Sequence, residues 1–188
     1  MSRLLLMIVW VSFGWAHADG NEFADIQNFH DSLQAMSQLA TQADREAAIA
    51  AEVLALYDFQ RIARVSTGLA WRSLAASERD EFVAVLKDLI IATYAQRFAQ
   101  QPGPQFKELA EEAARGGVVV RSEVRPVGGA PVRLDYFFSG GKVFNVAADG
   151  VSDLSLRRAD YGSVLSDSGM SALLSHLKVK VQEARGER

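Results

Sequence analysis

Apolar residues fall at steps of three and four along the first half of the chain and at steps of two along much of the second. Phe23, Ile26, Phe29, Leu33, Met36 and Leu39 recur at helical spacing, the mark of an amphipathic helix. A second helix is expected from about Asp44, with Ile49, Val53, Leu54 and Leu56 as its apolar stripe. The alanine-rich stretch REAAIAAEVLAL adds strong intrinsic helix preference. Asp58 can cap a short helix through FQRIARVST, and Gly68 falls where such a helix would stop in the left-handed conformation. The clearest helical pattern runs from Ser77 to about Phe98. Ser77 with Asp80 three residues on forms a capping-box-like start. Phe82, Leu86, Leu89, Ile90, Tyr94 and Phe98 line one side. Val83, Val85 and Ile91 widen that side, so neighbours should cover this helix on more than one flank.

The period changes after Pro102 and Pro104, which cannot continue a helical ladder. GGVVVRSEVRPV (116 to 127), APVRLDYFF (130 to 138) and KVFNVAA (142 to 148) are β-branched or aromatic and separated by glycine-rich turns, as in an antiparallel meander. In the second hairpin Leu134, Tyr136 and Phe138 share one face and Arg133 and Asp135 the other. Phe144 and Val146 continue the apolar set past the Gly140-Gly141 turn. The segment FKELAEEAAR before the meander reads helical by propensity. A last helix is expected from about Ser171, with Leu173, Leu174, Leu177 and Val181 on one side. Helices, then strands, then a helix give an α+β layout with helices segregated to one face of a sheet. The apolar faces of the long helix and of the hairpin can fill one ordinary core. One ordinary core is the fate of most such faces, and the alternative is a cavity between the layers, a common way to hold an apolar ligand.

The N-terminus changes the picture of where this domain works. Arg3, an apolar run from Leu4 to Trp15, and Ala16-His17-Ala18 form the pattern of a cleaved secretory signal over residues 1–18. The run is too short to span a bilayer, which needs ~20 residues. Residues 19–188 are then expected as one domain, with 19–100 mainly helical, 105–148 a sheet and 153–184 helical. A periplasmic location after cleavage near Ala18 follows. Without Arg3 the chain keeps 19 basic against 23 acidic residues, which gives no footprint for nucleic acid and no basic run to hold an anionic membrane. With no cysteine in the sequence, thiol chemistry, disulfides, cysteine-based metal sites and a lipidated-cysteine anchor are not expected.

The residues offer little for catalysis. His30 and His176 are far apart, and no His, Asp or Glu cluster has metal-ligand spacing. The pairs Asp80-Glu81 and Glu111-Glu112 are adjacent, so their carboxylates do not converge on a helix or on a strand. No nucleophile elbow or phosphate-binding glycine loop is present. No enzymatic activity, cofactor or metal is expected from the residues.

YDFQRIARVSTGLAWRSLAASERDEFVAVLKDLIIATYAQRF (57 to 98) has an aromatic-Asp start, Ile62-Ala63-Arg64, Gly68, Trp71 and Thr93-Tyr94-Ala95. These features resemble the MlaC-type, or toluene-tolerance, family of periplasmic lipid carriers. VRLDYFFSGGKVFNVAADGVSDLSLRRADYGSVLSDSGMSALLSHL (132 to 177) resembles the family's sheet and C-terminal helix. Its DGVSDLSLRRADYGSVL portion looks most like the hopanoid-associated HpnM branch. The chain departs from the family where a Trp and an Asp are usual: Gly141 and Asn145 stand there.

The resemblance implies a curved antiparallel or mixed sheet wrapped by helices, with a hydrophobic pocket for acyl chains between the layers. It implies that 105–113 is a strand, against propensity. It also implies a soluble carrier with only transient membrane contact. Such a carrier would shuttle phospholipid or hopanoid-type lipid to and from an inner-membrane ABC transporter and its membrane-tethered substrate-binding component. Bound lipid would be cargo, not a cofactor. The pocket residues it points to are Val65, Leu69, Leu86, Leu89, Ile90, Tyr94, Leu134, Tyr136, Phe138, Phe144 and Val146. Arg157 and Arg158 are head-group candidates, with Asp153 and Asp160 as their alternative partners. Trp71 is expected as an anchor on the short helix. A lipid-free adaptor with a closed core is the other reading.

Overall fold

A computed structural model describes residues 21–99 and 103–187; the expected signal segment and Pro102 lie outside the described residues. Helix α1 (Glu22–Met36) buries Ile26, Phe29, Leu33 and Met36, so the helical stripe read from sequence is the packed face. Leu39 lies beyond its end and is exposed. Helix α2 (Gln42–Leu56) is capped by Thr41, whose hydroxyl accepts from the Asp44 N–H, and buries Ile49, Val53 and Leu56. Leu54 had been expected in that stripe, but it is exposed because it lies ~100° around the helix from Val53.

Asp58 caps helix α3 (Phe59–Thr67), accepting from the Arg61 N–H at 2.9 Å. Gly68 ends it with φ 61° and ψ −129°, which is not the left-handed helical conformation expected there but a region open essentially to glycine. The chain then makes a 3-10 turn (Gly68–Arg72), which brings Trp71 half-buried against the core with the Arg79 guanidinium 5.5 Å from its ring.

Helix α4 (Ala76–Arg97) starts one residue before Ser77. Its cap differs from the expected one: Glu78 closes the first turn by accepting from the Ala75 N–H at 2.8 Å, half of a capping box. The helix buries Phe82, Val83, Val85, Leu86, Leu89, Ile90, Ile91, Ala92 and Ala95. It packs against α1, α2, α3 and the C-terminal helix, as its broad apolar girth requires.

The sheet is an antiparallel meander in the order β1 to β5: β1 (Gln105–Ala114), β2 (Gly117–Arg125), β3 (Val132–Ser139), β4 (Lys142–Ala148) and β5 (Val151–Ser152). FKELAEEAAR is thus strand, as the resemblance implied; pairing with β2 overrides its helix propensity. As an edge strand it carries Lys107, Glu108, Glu111 and Glu112, charges that discourage further strand addition.

A bulge between β3 and β4 resets the period of two. Tyr136 pairs with Val146 but Phe138 with Val143, so Val143 and Val146 both face the helices and Phe144 takes the extra position. The opposite face carries ion pairs: Arg121 grips Glu112 with two 2.8 Å hydrogen bonds, and Arg121 and Arg133 cover the buried Asp135 at 3.4 Å.

The last helix, α5 (Asp153–Arg185), covers the 153–184 segment expected to be helical, begins well before the stripe at Ser171 and is interrupted at Gly169, φ 78° and ψ −174°. The early half was not visible as a helical stripe because it buries just Leu154 and Tyr161. Helices α1, α3 and α5 lie against the sheet, and one core joins both layers.

Candidate functional site: an apolar cavity between the helices and the hairpin

The two layers do not close completely. A cavity of about 230 Å³ lies between α4, the β3–β4 hairpin and the start of α5. Ile90 and Tyr94 of α4, Leu134 and Tyr136 of β3, and Phe144 and Val146 of β4 line it from both layers. Tyr57, Ile62, Phe98 and Leu154 add to the lining.

The three wall tyrosines keep their polar ends occupied. Tyr57 and Tyr94 hydrogen-bond each other through their hydroxyls. The Tyr136 hydroxyl lies 3.0 Å from Nε2 of the buried His30, whose Nδ1 is 2.6 Å from Oε1 of Glu108. His30 stacks on Phe106 with ring centroids 4.1 Å apart. Burial lowers the His30 pKa more than the Glu108 hydrogen bond and charge raise it. The ring is therefore neutral, donating from Nδ1 to Glu108 and accepting from Tyr136. Burial also raises the phenol pKa values, Tyr94 to about 12 and Tyr57 and Tyr136 well above the ordinary range. These phenols are neutral at any physiological pH, and the wall carries hydroxyls but no charge.

Charge collects at the mouth instead. Thr93, Arg97, Asp153, Leu156 and Arg157 line both the cavity and an adjoining, more open vestibule of about 660 Å³. Arg157 donates from Nε to Oδ2 of Asp153 at 2.6 Å and from Nη1 to the Tyr161 hydroxyl at 3.0 Å. Burial works against its charge, but Tyr161 and Asp153 outweigh that and raise its pKa. Leu156 and Val151 remain more than half exposed on the rim.

The residues singled out by sequence divide into groups. Ile90, Tyr94, Leu134, Tyr136, Phe144 and Val146 converge on the cavity, and Arg157 stands at its mouth. Leu86 and Phe138 are fully buried in the core behind it, and Val65 packs half-buried on that core. Leu89 faces the vestibule, because Ile90, one position on, takes the inward side of α4. Leu69 does not reach the cavity: the glycine-led 3-10 turn leaves it 81% exposed. Arg158 points towards Gly68, away from both hollows.

Sequence reasoning missed Tyr57, Ile62, Thr93 and Arg97. Tyr57, Ile62 and Thr93 stood in the motifs quoted above, but nothing in the period of α4 separated its cavity-facing side from its core-facing sides. Asn145, where an Asp is usual, accepts from the Ser152 hydroxyl at 3.0 Å and the Leu154 N–H at 3.1 Å. It ties β4 to the first turn of α5, and a neutral amide oxygen suffices for both bonds. Among the described residues no group of three His, Asp or Glu could hold a metal ion, and no helix is long and apolar enough to cross a membrane.

Fold and cavity together define an α+β domain with an apolar hollow between a meander and its helices, open through a charged mouth. Residues 26–179 match the family model described as MlaC protein; the chain belongs to the MlaC family. Its fold is also similar to that of the phospholipid-binding protein from Ralstonia solanacearum, solved in complex with a phospholipid. The TM-score is 0.73 at 22% identity, over 86% of this chain and 97% of that one.

Proposed function

We propose that this protein is a soluble periplasmic lipid carrier, released by cleavage near Ala18. It would hold an acyl or polycyclic tail in the cavity and shuttle it between membrane complexes of an ABC-type lipid transport system. The observation that carries the reading is the hollow itself: apolar side chains from both layers face one space, and the charges stand at its mouth. Each methylene left in water costs ~0.8 kcal/mol, so a tail leaves a bilayer slowly unless another apolar surface receives it. Covering the tail needs no chemical step. The structural neighbour from Ralstonia solanacearum binds a phospholipid, which supports phospholipid as the cargo class here. The HpnM-like segment DGVSDLSLRRADYGSVL keeps a hopanoid-type lipid as the other candidate.

Ile90, Tyr94, Leu134, Tyr136, Phe144 and Val146 would contact the tail. Native mass spectrometry of protein purified from the periplasm, with organic extraction of the ligand, tests the reading. A lipid adduct identifies the cargo. A bare mass, with no uptake from added phospholipid or hopanoid vesicles, would overturn the carrier reading and favour a lipid-free adaptor.

A further inference from the structure

The vestibule beside the cavity holds three cations, Arg97, Arg157 and Lys180, and three carboxylates, Asp153, Asp160 and Glu183. Most of them are already paired. Arg157 bonds Asp153 and Tyr161, and Lys180 bonds Asp160 at 3.0 Å, with His176 facing the same carboxylate at 3.5 Å. Arg97 and Glu183 are different. Both are exposed, both line the same hollow, and among the described residues neither side chain has an ion pair or hydrogen bond. A lipid whose tail fills the cavity must carry its headgroup out past Arg97 and Arg157, the two cations among the five residues common to both hollows.

We propose that this vestibule selects a zwitterionic headgroup bearing a primary ammonium, with the phosphate on Arg97 and the ammonium on Glu183. The inference rests on the carrier reading and names the cargo class within it. The free Arg97 guanidinium suits a phosphate, which it can grip with two parallel N–H donors. The free Glu183 carboxylate accepts N–H bonds, which a phosphoethanolamine group offers and a quaternary choline does not. A quaternary ammonium is held instead by aromatic faces, and among the described residues Tyr161 is the one aromatic side chain lining the vestibule. An anionic headgroup such as phosphoglycerol meets one free cation and one free carboxylate, and offers the carboxylate only neutral hydroxyl donors and no compensating charge. Arg158, the neighbour of Arg157 in sequence, lies outside both hollows and takes no part.

The test is competitive loading. Delipidated protein is mixed with vesicles of phosphatidylethanolamine, phosphatidylglycerol and uncharged diacylglycerol, all with the same acyl chains, and bound lipid is read by native mass spectrometry. The wild type is expected to carry phosphatidylethanolamine over phosphatidylglycerol about two- to fivefold above the vesicle ratio, the size of one exposed ion pair. Glu183→Gln should erase that preference and Glu183→Lys reverse it. Arg97→Gln should lower both phospholipids relative to diacylglycerol, and Arg158→Gln should change nothing. Diacylglycerol loading shows that each variant still folds with its cavity intact. Lipid bound in the vesicle ratio by the wild type and every variant would overturn the headgroup assignment and leave the carrier reading standing. No lipid of any class in the wild type would overturn both.

Discussion

His30 couples the chemistry of one residue to the packing of both layers. It stands between the Glu108 carboxylate and the Tyr136 hydroxyl, buried and neutral. Its folded pKa lies below the ordinary histidine value of about 6.5, so between the two values the unfolded chain binds more protons than the folded one. Stability is then full above about pH 6.5 and falls as pH drops through the folded pKa. The urea midpoint of the wild type should decrease from pH 7.5 to 5.5, and His30→Gln should flatten that decrease although it lowers stability at both ends. Equal slopes for the two proteins would place the pH sensitivity elsewhere. Leu69 makes the converse point. It is apolar, follows the Gly68 turn and looked like pocket wall, yet it is 81% exposed. Leu69→Ser should leave the urea midpoint within about 0.5 kcal/mol of wild type and lipid load unchanged. A drop in lipid load would show that Leu69 reaches the cargo after all.

The elements were legible wherever one period ran unbroken. The stripe of α1, the girth of α4 and the two hairpins could be read directly, because each buries one periodic face against the same core. Three features were hidden for physical reasons. Strand β1 has the composition of a helix and becomes a strand by pairing with β2, a non-local effect that its own residues do not encode. The β3–β4 bulge adds Val143 to the inner face beside the cavity-lining Phe144 and Val146, and a period of two has no term for an inserted residue. The apolar stripe of helix α5 begins only near Ser171, although 153–184 is expected to be helical, because its first half buries so little; its two halves meet at Gly169 in a conformation essentially confined to glycine. Nothing crowds the Gly169 Cα, so Gly169→Ala isolates the backbone cost. It should destabilise the protein by about 1–3 kcal/mol in urea unfolding; no loss would mean that the break relaxes into continuous helix.

At the scale of the whole molecule, the question is what an incompletely closed core contributes. A hollow of about 230 Å³ is smaller than the roughly 300–1,000 Å³ of ordinary ligand pockets. The walls must therefore move apart, or the vestibule must share the load, when a long tail enters. An empty apolar hollow also forgoes the dispersion contacts that its lining would make if filled. A lipid that binds the folded chain and not the unfolded one adds about 2.7 kcal/mol at a hundredfold excess over its Kd. For a domain of this size each kcal/mol is worth about 2–4 °C, so loaded protein should melt roughly 5–10 °C above delipidated protein. Val146→Trp fills the same space from a half-buried strand position facing the cavity, where an aromatic residue suits the backbone. This variant should fold, take up little lipid, and show almost no rise in melting temperature when lipid is added. If it loads and gains as much as the wild type, the tail lies outside this hollow and the cavity is only a packing defect. If the wild type gains while the variant does not, the hollow between α4 and the hairpin is the seat of the cargo, and the incomplete closure of the core is what lets this fold carry it.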